Sequence, residues 1–109
     1  MSDANKQWGE RLKQARLAAG LSQKMLGIEA GLDPFVASTR INRYELGIHK
    51  PDLLTVRKLA AVLRVPVAFF YADTNDEVAE LLFQYGQATQ ETRQHIQQIL
   101  KASPIEPRM

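Results

Sequence analysis

Between Gly31 and Gly47 the chain reads GLDPFVASTRINRYELG. The stretch opens with turn chemistry, Gly-Leu-Asp-Pro, and runs without a break through Ser38, Thr39, Arg40, Ile41, Asn42, Arg43, Tyr44 and Glu45 before the second glycine stops it. Two arginines, an asparagine and two hydroxyls stand around one aliphatic, Ile41. Such groups donate and accept hydrogen bonds; they are equipped to grip a polar partner rather than to break a bond. Nothing elsewhere supplies catalytic chemistry. There is no cysteine nucleophile, the six glycines make no phosphate loop, and the carboxylates are dispersed over helix surfaces. His49 and His95 are solitary; Glu91 and His95 share an i,i+4 spacing, which reads as a surface ion pair and not as a metal site. The expectation is a protein that is no enzyme and carries no cofactor or metal.

The bulk properties agree with one soluble domain. A chain of 109 residues builds one real core and is too short for two domains of ordinary size, and its 45% hydrophobic and 24% charged residues are ordinary for a globular protein. The lack of cysteine fits a reducing cytosol, the N-terminus is polar, and no apolar run approaches the roughly 20 residues that span a bilayer, so a cytoplasmic protein without membrane association is expected. The net charge of +2 is unevenly spread. Up to Tyr71 eleven bases face six acids, a balance of +5, and from Ala72 onward the balance is −3. That asymmetry points to a basic working half and an acidic appendage.

The elements that position the polar segment are helical throughout, and the fold class expected is all-α. A first helix starts at Asp3 or Asn5 and ends at Ala19, with Trp8, Leu12, Ala15 and Ala19 on one face before Gly20. Ser22 caps a short second helix over residues 23–30, with Met25, Leu26 and Ile28 as its apolar surface, and Gly31 stops it. The third helix lies within residues 34–46. Pro51 starts the fourth, whose stripe is Leu53, Val56, Leu59, Ala60 and Leu63. Pro66 opens an apolar fifth helix, Val67-Ala68-Phe69-Phe70-Tyr71, that closes the core. Asp73-Thr74-Asn75-Asp76 is a break and cap signal, followed by a helix with Val78, Leu81, Leu82 and Tyr85 as its apolar residues. After Gly86 a helix over residues 89–102 carries Ile96, Ile99 and Leu100 at i, i+3 and i+4. The domain reading is residues 1–72 as the working domain, residues 73–102 as a helical extension, and residues 103–109 as a mobile tail.

Two short helices joined by a tight glycine turn form a helix-turn-helix. Gly27 stands where only a small residue lets the second of them approach, Gly31-Leu32-Asp33 turns the chain, and Ile41 faces the core. With RLKQARLAAGLSQKMLGIEAG and INRYELGIHKPDLLTVRKLAAVLRV, the chain resembles the Cro/cI, or Xre-type, helix-turn-helix of phage repressors and bacterial regulators over roughly residues 9–71. The shared pieces are Arg16 before Gly20-Leu21-Ser22-Gln23, the Gly31 turn, Ile41, Glu45-x-Gly47, Pro51, and Leu59-Ala60-x-x-Leu63-x-Val65. The resemblance implies a five-helix, lambda-repressor-like DNA-binding domain, to which the C-terminal helices are an extension.

The sequence departs from the pattern at one place. About ten residues ordinarily separate the turn glycine from the glutamate, whereas Gly31 to Glu45 is fourteen. Either Asp33 caps and Pro34 begins a longer recognition helix, or the turn is enlarged and the helix begins near Ser38. Aligning backward from Glu45 keeps Ile41 in the core and favours the enlarged turn. On that alignment the resemblance places Ser38, Thr39, Arg40 and Arg43 at base edges, with Asn42 close by, able to read adenine or to point toward the backbone. Arg43 is the leading specificity residue, since arginine can make a bidentate contact to guanine O6 and N7. Gln23 is expected at a phosphate, aided by the backbone amides at its helix start, and Ser22, Lys24, His49 and Lys50 are further phosphate candidates. Outside such a motif, a polar helix face is merely solvated. Arg16 and Glu45 are implied to form a partly buried ion pair with a structural role.

Two readings of function follow from the resemblance. In the first the chain is a sequence-specific transcriptional regulator, read as a repressor, that binds an inverted repeat in double-stranded DNA as a homodimer through its C-terminal helices. The residues Val78, Leu81, Leu82, Tyr85, Ile96, Ile99 and Leu100 either make that dimer contact or pack back on their own chain. In the second it is an antitoxin whose extension binds a toxin while its DNA binding serves autoregulation.

Overall fold

A computed structural model describes residues 3–72 and 77–108. The signal at Asp73-Thr74-Asn75-Asp76 lies outside the described residues. Six α-helices are present among them: α1 (Asp3–Ala18), α2 (Gln23–Glu29), α3 (Ala37–Glu45), α4 (Leu53–Leu63), α5 (Glu77–Gln87) and α6 (Gln90–Ala102), with a 3-10 helix, Val67–Tyr71, between α4 and α5. No strand occurs among the described residues, so the protein is all-α.

The core lies where α1, α2, α3, α4 and the 3-10 helix converge. Leu12, Leu26, Ile41, Leu59, Phe69 and Phe70 are all fully buried. Trp8 and Phe70 pack with ring centroids 5.0 Å apart, and Phe69 meets Phe70 edge-on at 5.9 Å. Rings stacked this way contribute about 0.5–1.5 kcal/mol per pair beyond the area they bury. Arg11 is buried on the inner side of α1, where its guanidinium lies 5.6 Å from the Phe69 ring centre. Its Nε donates to the Ala72 carbonyl at 3.1 Å, and Gln7 donates to the same oxygen at 3.0 Å. Together they satisfy the carbonyl just past the 3-10 helix and bind that helix to α1.

Several boundaries and faces differ from the sequence expectation. Ala19 and Leu53 are exposed, as is Met25, so the apolar stripes of α1, α2 and α4 are each narrower than expected. The fourth helix begins at Leu53 with Asp52 as its cap, whose Oδ1 accepts from the Thr55 amide at 2.8 Å; Pro51 stands before the cap and is buried. A carboxylate that satisfies an orphan amide outcompetes the proline as the start signal. The fifth helix is 3-10 in type. In α5 the inward face is Ala79, Leu82, Phe83 and Gly86, while Val78 and Leu81 stand 46% and 55% exposed.

The α5 helix docks onto the end of α4 because Gly86 has no side chain. A Cβ there would run into the Arg64 carbonyl oxygen and come within 2.9 Å of the Val65 Cα. Gln87 fastens the contact by donating to the Leu63 and Arg64 carbonyls, both at 2.9 Å, and the Phe83 ring lies 5.8 Å from Phe69. Gly86 is therefore a close-approach residue within the helix, which runs on to Gln87. Beyond it, α6 is capped by Thr89 and buries no residue. The radius of gyration of 15.6 Å exceeds the roughly 13 Å of a compact chain this long, as expected for a helix that projects from the body. Glu91 and His95, expected to pair across one turn of α6, form no ion pair; among the described residues the salt bridge is Arg16 with Glu45.

Candidate nucleic-acid interface

The helix pair α2 and α3 is built by a glycine and an alanine. A Cβ at Gly27 would lie 2.7 Å from the Cβ of fully buried Ala37, so the two helices abut at backbone distance. Ser22 starts α2 by accepting from the Met25 amide at 3.0 Å, and the Leu32 amide closes the end of α2 onto the Gly27 carbonyl at 2.9 Å. The segment between Leu32 and α3 is a turn, not helix. Its Val36 amide donates to the Asp33 carbonyl at 3.0 Å, and the Phe35 amide donates to Asp33 Oδ1 at 2.9 Å. The extra residues thus enlarge the turn, and α3 begins at Ala37.

With nine residues, α3 divides cleanly into two sides. Ala37, Ile41, Tyr44 and Glu45 are buried, while Ser38, Thr39, Arg40, Asn42 and Arg43 are exposed. At 3.6 residues per turn, Thr39 and Arg43 lie opposite the buried side and form the crest. The flanks are engaged within the protein. On one, Arg40 Nη2 donates to the Tyr44 hydroxyl at 2.8 Å, with the guanidinium 5.9 Å from the Tyr44 ring centre. On the other, Asn42 Oδ1 accepts from Gln23 Nε2 at 3.1 Å. Reading adenine needs both ends of the asparagine amide, so Asn42 must release Gln23 to do it. The Arg43 side chain has no hydrogen bond or ion pair among the described residues, and its donor fork is open.

Behind the exposed face lies the Arg16 network. Arg16 Nε donates to Glu45 Oε2 at 2.6 Å and Nη2 to Oε1 at 3.1 Å, and Nη1 donates to the Leu21 carbonyl at 2.9 Å. Gln23 Nε2 adds a bond to Glu45 Oε1 at 3.1 Å. Residues from α1, the following turn, α2 and α3 are therefore joined through one carboxylate. The donors of Gln23 are spent on Asn42 and Glu45, so Gln23 reaches a phosphate only by releasing one of them. Ser22 Oγ is likewise the acceptor of its cap, with its own proton left to donate. Lys24, His49 and Lys50 are exposed, Lys50 with its ammonium 6.0 Å from the Tyr71 ring centre.

Beside these residues an open groove of about 290 Å³ runs between α1, α2 and α3, with Lys6 and Lys13 of α1 alongside Gln23 and Asn42. Sequence reading omitted both lysines. Their only signal was that they share the outward side of α1, two turns apart. Asp52, the cap of α4, titrates low. Hydrogen bonds from Thr55, its backbone amide first, hold that carboxyl below its ordinary value, with Lys58 and Arg40 adding attraction.

The geometry can be set against known proteins. Residues 12–70 match the family model described as helix-turn-helix. The chain belongs to the Cro/cI, or Xre-type, helix-turn-helix family. Among its relatives is YonR, a SPbeta prophage-derived HTH-type transcriptional regulator of Bacillus subtilis, 36% identical over 70 residues, covering 62% of this chain and 59% of that protein. An HTH-type transcriptional regulator of Sinorhizobium medicae is 31% identical over 65 residues, covering 60% of this chain and 44% of that protein. The chain spans about half the length of the curated relatives it matches. The crystal structure of the transcriptional regulator BswR superposes with a TM-score of 0.73 at 42% identity, covering 87% of this chain and 93% of the other. That likeness extends past the helix-turn-helix into the C-terminal helices. Among the described residues no helix is long and apolar enough to cross a membrane.

Proposed function

We propose that this Xre-type protein is a sequence-specific, double-stranded DNA-binding transcriptional regulator, a repressor that occupies an inverted-repeat operator as a homodimer. The observation that carries the proposal is the crest of α3: Thr39 and the unengaged Arg43 stand outward on a helix whose opposite side is fixed to the core. A recognition helix enters the major groove by its N-terminal residues, so Ser38 and Thr39 approach base edges first and Arg43 follows one turn later. Arg40 and Asn42 serve at the flanks, each after exchanging an internal hydrogen bond for one to DNA. The phosphate set is Ser22, Gln23 through the N–H that Asn42 releases, Lys24, His49 and Lys50, which Lys6 and Lys13 extend along the groove. Arg16 and Glu45 hold the helices in place.

One such domain makes too few contacts for selective binding, while two on a symmetric site about 34 Å apart combine theirs. The exposed apolar residues of the C-terminal helices support a dimer contact there. Ile99 and Leu100 are 57% and 66% exposed on α6, and Val78 and Leu81 stand out on α5, whereas Leu82 is spent against its own core. The names of the relatives and of BswR agree with a role in transcription.

The test is selection of bound sequences from random duplex DNA at stated salt, with the wild type and Arg43→Ala in parallel. The wild type is expected to enrich an inverted repeat. Arg43→Ala should lose preference at one position per half-site, worth about 1–3 kcal/mol. Lys24→Ala should weaken all sequences alike and reduce the salt slope by roughly one. A wild type that enriches no motif overturns the proposal.

A further inference from the structure

One side chain of the DNA-facing region is unexplained by the family pattern. Phe35 is 97% exposed, although the phenylalanines Phe69 and Phe70 of the same chain are fully buried. It does not hang on a loose loop. Asp33 accepts the Phe35 amide through its side chain and the Val36 amide through its carbonyl, Pro34 restricts the backbone between them, and Val36 hands its carbonyl to the Arg40 amide at 2.9 Å. The ring is therefore presented outward by a turn closed on itself, two residues ahead of α3. Val36, 41% exposed, extends the apolar surface. Phe35 also precedes Thr39 and Arg43 at four-residue intervals in the sequence.

We infer that Phe35 is a specificity-determining residue that packs against the C5-methyl group of a pyrimidine in the major groove. The inference rests on the DNA-binding reading above. The N-terminal end of a recognition helix goes deepest among the bases, so a side chain just ahead of it meets the groove. The phosphates offer a phenyl ring charge and no apolar surface. On the base edges of that groove the apolar feature is the C5-methyl, carried by thymine and by 5-methylcytosine. The enlarged turn thereby adds a contact at the edge of each half-site, outside the span read by Ser38, Thr39 and Arg43.

The experiment uses the full chain and the motif that the wild type enriches. Each thymine of the half-site is replaced in turn by deoxyuridine, which removes the methyl alone, and each cytosine by 5-methylcytosine, which adds it. Affinities are measured for the wild type and Phe35→Ala. With one buried methyl at stake, the wild type should lose roughly fourfold at one thymine per half-site, and roughly 15-fold when both half-sites are changed. Phe35→Ala should bind the thymine duplex more weakly and be indifferent to the methyl at that position. If the preferred base is cytosine, its methylation should instead strengthen wild-type binding and leave Phe35→Ala unmoved. Because the ring is exposed, the melting temperature of the variant should equal that of the wild type. Phe35→Ala with wild-type affinity and preferences overturns this inference alone, as does an equal loss on methylated and unmethylated duplexes. A wild type without any enriched motif removes the DNA-binding reading and this one with it.

Discussion

Glu45→Ala should be among the most destabilising single changes in the molecule. Its carboxylate accepts three hydrogen bonds, at 2.6 Å and 3.1 Å from Arg16 and at 3.1 Å from Gln23, and the paired side chains are only 10% and 4% exposed. Removing it leaves the Arg16 guanidinium with the Leu21 carbonyl and no counter-charge. A charge stranded in this way costs about 3–5 kcal/mol. For a chain of this size about 4 °C of melting temperature corresponds to each kcal/mol, so a fall of at least about 12 °C is expected. Arg16→Ala should cost a similar amount, because the carboxylate then keeps only the Gln23 amide. The double change to apolar residues, Arg16→Met with Glu45→Leu, should lose less than either single change, since no charge remains buried. Thermal and urea unfolding followed by circular dichroism measures these losses, with the combined Arg16→Ala, Glu45→Ala variant closing a double-mutant cycle on the two single changes. Additive losses, or single losses below about 1 kcal/mol, would refute the reasoning by making the pair equivalent to an exposed one.

Three further outcomes are expected. Gly27→Val places a side chain within 2.7 Å of the Ala37 Cβ, so urea unfolding should show a loss of about 1–3 kcal/mol, and DNA affinity should fall even where the variant is folded. The carboxyl of Asp52 titrates below its ordinary value of 3.8, chiefly because of the Thr55 amide, so its capping stabilisation is full above that value and is lost as the pH falls through the lower folded value. The stability gap between wild type and Asp52→Ala should accordingly be constant near neutrality and close in acid, which melting curves across pH would show. Changing exposed Ile99 and Leu100 together to aspartate should convert a dimer to a monomer in sedimentation equilibrium without lowering the melting temperature of the N-terminal helices; a monomeric wild type would remove the dimer contact.

What the sequence displayed, and what it hid, divides along a physical line. Elements announced by local chemistry were legible: the Ser22 cap, the Gly31 turn, the buried side of α3 marked by Ile41, and the start of α3 once Glu45 set the register. Features decided by distant partners were not. Arg11 reads as a surface charge, and only the Ala72 carbonyl and the Phe69 face make it a core residue. Nothing about Gly86 in the sequence shows its role until the backbone just past α4 is brought against it. The docking face of α5 was missed because two of its members, Ala79 and Gly86, carry little hydrophobic signal, while the more apolar Val78 and Leu81 face outward. At the candidate interface the residue types were visible, but their engagement was not. Nothing in the spacing of Gln23, Asn42 and Glu45 says that one amide bridges the other two.

The enlarged turn raised the question whether the two helices of the motif are splayed by the added residues. Their contact answers it independently of the loop. Gly27 and Ala37 abut at backbone distance, and the end of α2 is closed by the Leu32 amide on the Gly27 carbonyl before the addition begins. From there the Phe35 and Val36 amides are both satisfied on Asp33, and the chain passes directly into α3. A loop that propped the helices apart would leave a gap at Ala37, which is instead fully buried. The addition is therefore borne outward as a knob on a closely packed helix pair. Such a knob changes what the motif can touch while the Gly27–Ala37 contact stays closed, and the ring it exposes is that of Phe35.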